Sequence, residues 1–338
     1  MSEVSTIALS KKDFISDQDV RWCPGCGDYA ILSQVQKVFP NLGIPKENFL
    51  VVSGIGCSSR FPYYLDTFGF HSIHGRAPAL ATGAKIANPD LSVWIVTGDG
   101  DSMSIGGNHF IHVLRRNFDL NILLFNNQVY GLTKGQYSPT SEIGRISNST
   151  PFGSVDYPFN PPLLALGAGG TFIARGIDRE QKHLQGLLYE AYKHKGTSLV
   201  EIYQNCWVFN DGAFASLTDR EIKMETQLIL ENGKPMIFGR NQDKGLMLKG
   251  SKLEVISLTK KNSINEVMIH DEQNKIQGLL LSELTYDKNY PTPMGVLYRE
   301  EKPTYETMLH NQLATALKTR GKGDLDKLFN DSHTWEVE

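Results

Sequence analysis

Two polar clusters, each following a short apolar run, constrain this chain most. Gly98-Asp99-Gly100-Asp101 follows the run 91–97, and Asn126-Asn127 follows the run 120–125. Neither run alternates apolar with polar residues, which is the pattern of strands buried on both faces of a parallel sheet. Between them, residues 105–118 carry Phe110, Ile111, Val113, Leu114 and Phe118 at helical spacing. Strand, helix and strand in that order imply a right-handed crossover. Both clusters then lie at the carboxyl ends of strands, the edge at which open α/β sheets bind ligands.

Asp99 and an asparagine of the second cluster could therefore present oxygen atoms to one hard cation. Mg²⁺ takes oxygen donors in octahedral geometry and commonly shares its shell with substrate phosphates. The flanking glycines let the backbone approach a diphosphate closely. The pair is read as a Mg²⁺–diphosphate site. The competing reading is two ordinary turns, which Gly-Asp-Gly and Asn-Asn often form. It accounts for each cluster alone but not for their matched positions. A dinucleotide fingerprint fits worse, because Met103 stands where G-x-G-x-x-G needs its third glycine.

The 338 residues are 40% hydrophobic and 21% charged, an ordinary globular balance. The length suits one large domain with an appendage, or two domains. A net charge of −3 offers no long-range attraction to nucleic acid or to an anionic membrane. No run of about 18 apolar residues is present to span a bilayer. Residues 1–19 lack the basic-then-apolar order of a secretory signal. A cytoplasmic location is expected, which makes Asn148-Ser149-Thr150 a polar loop rather than a glycosylation site.

Further strands are expected over 49–53, 171–174 and 199–203, and further helices over 76–88 and 178–195. In the last of these, Asp178 and Gln181 have capping-box spacing, and Leu184, Leu187, Leu188, Ala191 and Tyr192 share a face. Residues 136–162 form a long connection rich in Ser, Thr, Pro and Gly, a length usually reserved for functional loops. The expected fold class is α/β, a mostly parallel sheet with helices on both faces. After about Met224 the alternation is lost. The expected division is 1–225 for the sheet domain, which carries the diphosphate and cysteine sites, and 226–338 for a C-terminal extension that serves in subunit contact or as a lid over the cysteines. The extension has one amphipathic helix near 304–319, with Met308, Leu309, Leu313 and Leu317 on a face.

Only four cysteines occur: Cys23 and Cys26 in a Cys-Pro-Gly-Cys knuckle, Cys57 in a glycine-rich loop, and Cys206 just after the run 199–203. Disulfides are unexpected in a chain of this kind. Parallel neighbouring strands would bring Cys57 and Cys206 out at the same edge as the diphosphate crevice. Four thiolates so placed suit a [4Fe–4S] cluster. A structural zinc also takes four thiolates, though it usually pairs two such knuckles. A thioredoxin-like pair would use Cys23 and Cys26 and leave the others without a role. Inert buried cysteines would account for Cys206 but not for the knuckle.

With both sites in view, the chain resembles the β subunits of 2-oxoacid:ferredoxin oxidoreductases, and most of all those of the 2-oxoglutarate branch. Trp22-Cys23-Pro24-Gly25-Cys26-Gly27, Gly54-Ile55-Gly56-Cys57-Ser58-Ser59-Arg60 and His74-Gly75-Arg76-Ala77 carry the likeness. So do Gly98-Asp99-Gly100-Asp101 and the segment from Asn126 to Gln136, Asn-Asn-Gln-Val-Tyr-Gly-Leu-Thr-Lys-Gly-Gln. Cys206 falls where the family has its fourth, distant cysteine. The likeness covers about 1–225 and weakens beyond.

The resemblance implies the thiamine diphosphate-binding fold and a set of roles. Cys23, Cys26, Cys57 and Cys206 would ligate one [4Fe–4S] cluster. Asp99 and Asn127 would bind Mg²⁺ through their side chains, and Val129 through its carbonyl. Ile55, Gly56, Cys57, Ser58, His74, Gly100, Asp101, Gly131 and Leu132 would surround thiamine diphosphate. Arg60 stands where relatives carry a basic residue facing the substrate carboxylate. Leu132 stands where they shape the substrate cavity, and Lys134 where a lysine serves coenzyme A.

The implied reaction is oxidative decarboxylation of a 2-oxo acid with coenzyme A, to carbon dioxide and an acyl-coenzyme A. Electrons pass through the cluster to ferredoxin. 2-Oxoglutarate is favoured, with pyruvate or another 2-oxo acid as the alternative, and the physiological direction is left open. In this family the carboxylate that activates thiamine belongs to an α subunit, so activity is expected only in an αβ or α2β2 assembly. No C-x2-C-x2-C-x3-C run is present, so ferredoxin is expected to be a separate protein. A non-oxidative thiamine decarboxylase subunit with a structural zinc is the alternative class. A non-catalytic redox or metal-sensing module is a third.

Overall fold

The computed structural model describes residues 9–258, 263–331, 334, 335 and 337. Six strands make the parallel part of a large sheet: β1 (Phe49–Ser53), β2 (Phe68–His71), β3 (Ser92–Gly98), β4 (Leu120–Asn126), β5 (Phe172–Ile177) and β6 (Thr197–Tyr203). Their spatial order is β2-β1-β3-β4-β6-β5. Every residue of β1, β4, β5 and β6 is buried. Burial on both faces is why these strands read as apolar runs rather than as alternation. β2 is exposed along its whole length, and its sequence carries no burial pattern to mark it.

Six helices accompany these strands: α1 (Asp28–Val38), α2 (Ala77–Ala87), α3 (Asp99–Met103), α4 (Gly107–Arg116), α5 (Pro161–Gly167) and α6 (Gln181–Lys193). Successive strand side chains point to opposite faces, and two separate cores result. On one face Val51, Trp94, Val96, Leu123 and Val200 pack with Ile31 and Val35 of α1 and Leu184 and Leu188 of α6. On the other, Leu50, Val52, Ile95, Ile122 and Leu124 pack with Ala81 of α2, Phe110 and Leu114 of α4 and Ala165 of α5. The sheet is thus covered on both sides, as the α/β reading expects.

Five more strands follow: β7 (Gln227–Ile229), β8 (Ile237–Phe238), β9 (Lys244–Lys249), β10 (Lys252–Ser257) and β11 (Thr292–Arg299). Residues beyond 225 join the large sheet. β11 pairs antiparallel with β5, and β7 pairs parallel with β11, which brings the sheet to eight strands. The other three form a small antiparallel sheet, β10-β9-β8.

The capping box expected at Asp178 and Gln181 is not formed. Glu180 occupies the N-cap position of α6 without a side-chain cap. The Asp178 carboxylate instead accepts the Asn205 N–H at 3.0 Å, because the chain just before Cys206 runs against it. The helix expected near 304–319 forms as Tyr305–Arg320. Its apolar row does not pack within the described residues: Met308, Leu313 and Leu317 are 50%, 51% and 57% exposed. The helix is held at its start, where the buried Glu306 accepts the Asp119 N–H at 3.2 Å. No helix among the described residues is long and apolar enough to cross a membrane.

Candidate active site

The carboxyl ends of β1, β3, β4 and β6 lie side by side, and each leads into expected site residues. Asp99 opens α3 and is buried. The hydroxyl of Thr140, from the long connection after β4, stands 2.6 Å from Asp99 Oδ2 and 2.9 Å from Asn126 Oδ1. Its one proton serves the carboxylate, the stronger acceptor. Burial pushes the Asp99 carboxyl up, against the hydrogen bonds from Ser138 and Thr140. A cation beside it would oppose that push and hold it ionised.

Asn126 and Asn127 diverge. Asn126 points into the protein, where its Nδ2 donates to Glu201 at 2.8 Å. Gln128 takes a left-handed conformation (φ 55°) and turns the chain. Asn127 Oδ1 accepts the Val129 N–H at 3.1 Å, and its Nδ2 donates to Gln204 Oε1 at 3.0 Å. The Val129 carbonyl accepts the Gly131 N–H at 3.1 Å, which leaves a second lone pair for another partner.

Gly100 is required by a close approach. A Cβ there would collide with the Tyr130 ring, whose hydroxyl donates to the Gly100 carbonyl at 3.2 Å. Gly100→Ala is expected to push Tyr130 and the chain after β4 away from α3, weakening thiamine diphosphate binding at least tenfold. Trimming the ring in Gly100→Ala/Tyr130→Leu should restore part of that loss. Fluorescence titration with Mg²⁺ and thiamine diphosphate checks both.

Asp101 is buried and its carboxylate is fully used by the protein. Oδ1 accepts the N–H groups of Ile55 at 3.1 Å and Gly75 at 2.7 Å and lies 2.8 Å from His74 Nδ1. Oδ2 accepts the Thr97 hydroxyl at 2.7 Å. Asp101 therefore ties the loops carrying Ile55 and His74 to the end of β3. Gly54 permits this, since a Cβ there would strike the Asp101 carboxylate. Gly56, at φ +141°, turns the chain toward Cys57. Ser58 is buried nearby.

All four cysteines line one cavity of about 240 Å³, together with Arg60, Asn127, Gly131, Leu132, Lys134 and Gln204. All four are free. Three contacts bind the cysteine-bearing segments together. The Trp22 indole N–H donates to the Cys57 carbonyl at 2.6 Å. The Gly27 N–H donates to the Asn205 carbonyl at 3.1 Å, and the Gln204 amide reaches Cys26 Sγ at 3.4 Å. A methyl placed on Gly131 would lie 3.5 Å from Cys206 Sγ and 3.6 Å from Cys57 Sγ, so those sulfurs are at most about 7 Å apart. Among the described residues, no three Cys, His, Asp or Glu side chains converge on one point as ligands of a single ion would. Burial raises the Cys26 and Cys206 thiols and pushes Cys57 up to about 12.

Arg60 and Leu132 line this cavity and also the adjoining one of about 380 Å³, which contains Ile55, Gly56 and His71. Leu132 is half-exposed there. Lys134 holds a left-handed backbone (φ 76°) at the rim. Sequence reasoning passed over Thr140, Gln204, Glu201 and Arg175. Thr140 is one hydroxyl among many in a polar loop and carried no signal. Glu201 and Arg175 did carry one, being charges inside buried apolar runs.

This crevice, at the strand ends of a doubly covered sheet, is that of a thiamine-dependent enzyme. Residues 54–202 match the family described as thiamine pyrophosphate enzyme, C-terminal TPP binding domain. The chain is 50% identical over 331 residues to the 2-oxoglutarate oxidoreductase subunit KorB of Mycobacterium tuberculosis, covering 97% of this chain and 88% of that one. It is 46% identical over 205 residues to the β subunit of 2-oxoacid:ferredoxin oxidoreductase 2 of Aeropyrum pernix, covering 61% of this chain and 66% of that one. Its fold is similar to 2-oxoglutarate:ferredoxin oxidoreductase from Magnetococcus marinus, with 2-oxoglutarate, coenzyme A and succinyl-CoA bound. That match has a TM-score of 0.76 and 31% identity and covers 96% of this chain and 97% of that one. The chain belongs to the family of 2-oxoacid:ferredoxin oxidoreductase β subunits, oxidoreductase enzymes built from more than one kind of subunit.

Proposed function

We propose that this chain is the β subunit of a 2-oxoglutarate:ferredoxin oxidoreductase, which converts 2-oxoglutarate and coenzyme A to succinyl-coenzyme A and carbon dioxide. The observation that carries the reading is one cavity lined by four thiols and by Asn127, with Asp99 on the neighbouring strand end. A redox centre and a Mg²⁺–diphosphate anchor would share a wall.

Thiamine diphosphate supplies the chemistry that releases carbon dioxide from a 2-oxo acid, and a [4Fe–4S] cluster supplies the one-electron steps. The protein's part is to bind and orient. Asp99, Asn127 and the Val129 carbonyl hold Mg²⁺. Gly100 and Gly131 let the backbone close on the cofactor, and Ile55, Gly56, Ser58 and His74 wall it in. Asp101 positions Ile55 and His74. Cys23, Cys26, Cys57 and Cys206 hold the cluster, Arg60 faces the substrate carboxylate beside Leu132, and Lys134 meets coenzyme A at the rim. One Cys-Pro-Gly-Cys knuckle with two isolated thiols supports a cluster over one zinc, which usually pairs two such knuckles.

Residues 1–225 carry every proposed ligand. Within residues 226–338, β7 and β11 complete the large sheet, and the exposed row of Met308, Leu313 and Leu317 is assigned to subunit contact. An α subunit supplies the carboxylate that activates thiamine, in an αβ or α2β2 assembly, and a separate ferredoxin takes the electrons. The test is anaerobic co-purification with that subunit. A brown protein with equal iron and acid-labile sulfide is expected. It should reduce methyl viologen faster with 2-oxoglutarate than with pyruvate, and only with coenzyme A present. A colourless protein holding zinc, or an aldehyde product without viologen reduction, refutes the reading.

A further inference from the structure

The Gln204 side chain spans the gap between the two proposed centres. It is buried and sits one residue past β6. Its backbone N–H donates to the Asn126 carbonyl at 3.0 Å, which continues the β4–β6 ladder and fixes the residue's place. Its Nε2 donates to the Asn205 carbonyl at 2.6 Å and reaches Cys26 Sγ at 3.4 Å. Its Oε1 accepts the Asn127 Nδ2 at 3.0 Å. The amide orientation follows from these partners, since a carbonyl oxygen only accepts and the nitrogen must face it.

We propose that Gln204 is a positioning residue that couples the sulfur of Cys26 to the side chain of Asn127. Through it, the oxidation state of the cluster and the occupancy of the Mg²⁺–diphosphate site bias each other. The inference rests on the reading of Cys26 as a cluster ligand and of Asn127 as a Mg²⁺ ligand. When Asn127 Oδ1 gives electron density to Mg²⁺, its Nδ2–H becomes a stronger donor to Gln204 Oε1. That polarises the Gln204 amide and strengthens its donation to Cys26 Sγ. Hydrogen bonds to a ligating sulfur stabilise the reduced, more negative cluster and raise its potential. By linkage, the reduced state then binds Mg²⁺ and thiamine diphosphate more tightly, by the same factor.

The test is redox titration of the anaerobically purified αβ complex, followed by the electron paramagnetic resonance signal of the reduced cluster. It is run with and without Mg²⁺ and thiamine diphosphate. In the native protein the cofactors should raise the reduced-to-oxidised ratio at a fixed poise by about threefold or more. Gln204→Leu should lower that ratio about tenfold and remove the cofactor effect. Gln204→Glu keeps an acceptor for Asn127 but sets a negative charge against the sulfur, so its ratio should fall below that of the Leu variant while cofactor binding survives.

A merely structural role would leave the potential of an intact cluster unmoved. Unchanged potentials in both variants overturn the inference, and so does a native potential indifferent to the cofactors. The native comparison decides the matter even where a variant loads no cluster. If the native complex holds neither iron nor thiamine diphosphate, the underlying reading of the site is what fails, and the coupling fails with it.

Discussion

Asp99→Ala is expected to reduce the affinity for Mg²⁺ and thiamine diphosphate at least 100-fold and to leave the proposed cysteine-bound cluster in place. In the proposed ligand set, Asp99 provides the one negative charge beside the neutral oxygens of Asn127 and Val129. Mg²⁺ loses much of its hydration on binding and needs that charge. Losing a residue that only supports a ligand typically costs about 10–100-fold in metal affinity, so losing the anionic ligand itself should cost more. The loss should not come from unfolding. Burial already disfavours the ionised carboxylate, whose partners are the Ser138 and Thr140 hydroxyls. Removing a buried charge with no cation beside it relieves a cost. The cofactor-free variant should therefore melt no lower than the cofactor-free native chain, with its visible absorption intact. Calorimetric titration alongside absorbance spectra checks the pair. Cofactor affinity near the native value would remove Asp99 from the site.

The second large effect lies beneath the site. Arg175 and Glu201 face each other across β5 and β6 and are fully buried, with Arg175 Nε 2.7 Å from Glu201 Oε2. The guanidinium also donates to the Thr285 hydroxyl at 2.8 Å, and Glu201 Oε1 accepts Asn126 Nδ2 at 2.8 Å. Breaking such a pair from one side strands a charge in the core and costs about 3–5 kcal/mol. Arg175→Met should cost that much, read as the shift of a urea midpoint. Arg175→Met/Glu201→Leu should recover most of it, because a well-packed apolar pair is often as stable as an ion pair. Cofactor affinity should fall in that double variant. Asn126 loses its acceptor in the double variant, and the turn that carries Asn127 begins at Asn126. Equal stability of the single and double variants would show that the pair carries little.

The central strands were readable because burial on both faces forces unbroken apolar runs, and the polar clusters that end them stand out against that background. β11 was not readable. Pro293 and Gly295, at φ +128°, interrupt its apolar stretch with residues that usually mark strand ends. Asp178 looked like a cap because spacing alone cannot reveal a competing donor 27 residues away at Asn205. The apolar row of Tyr305–Arg320 was readable as a pattern, but a pattern does not say what it packs on. At the site, residues with distinctive chemistry announced themselves, and the connectors did not. Thr140 and Gln204 act through one hydroxyl and one amide, and only the folded chain shows what those groups reach.

The antiparallel strand against β5 has a bearing on how the molecule is made. Translation runs from the amino end, and folding follows it. All four thiols have been synthesised by Cys206, well before Thr292–Arg299 is. For that interval the nascent subunit has its cysteines but a sheet whose β5 border is still unpaired, and such borders invite pairing with other chains. β11 arrives late in synthesis, so a chain that stalls between these points would carry the residues proposed to bind iron and an unguarded rim at once.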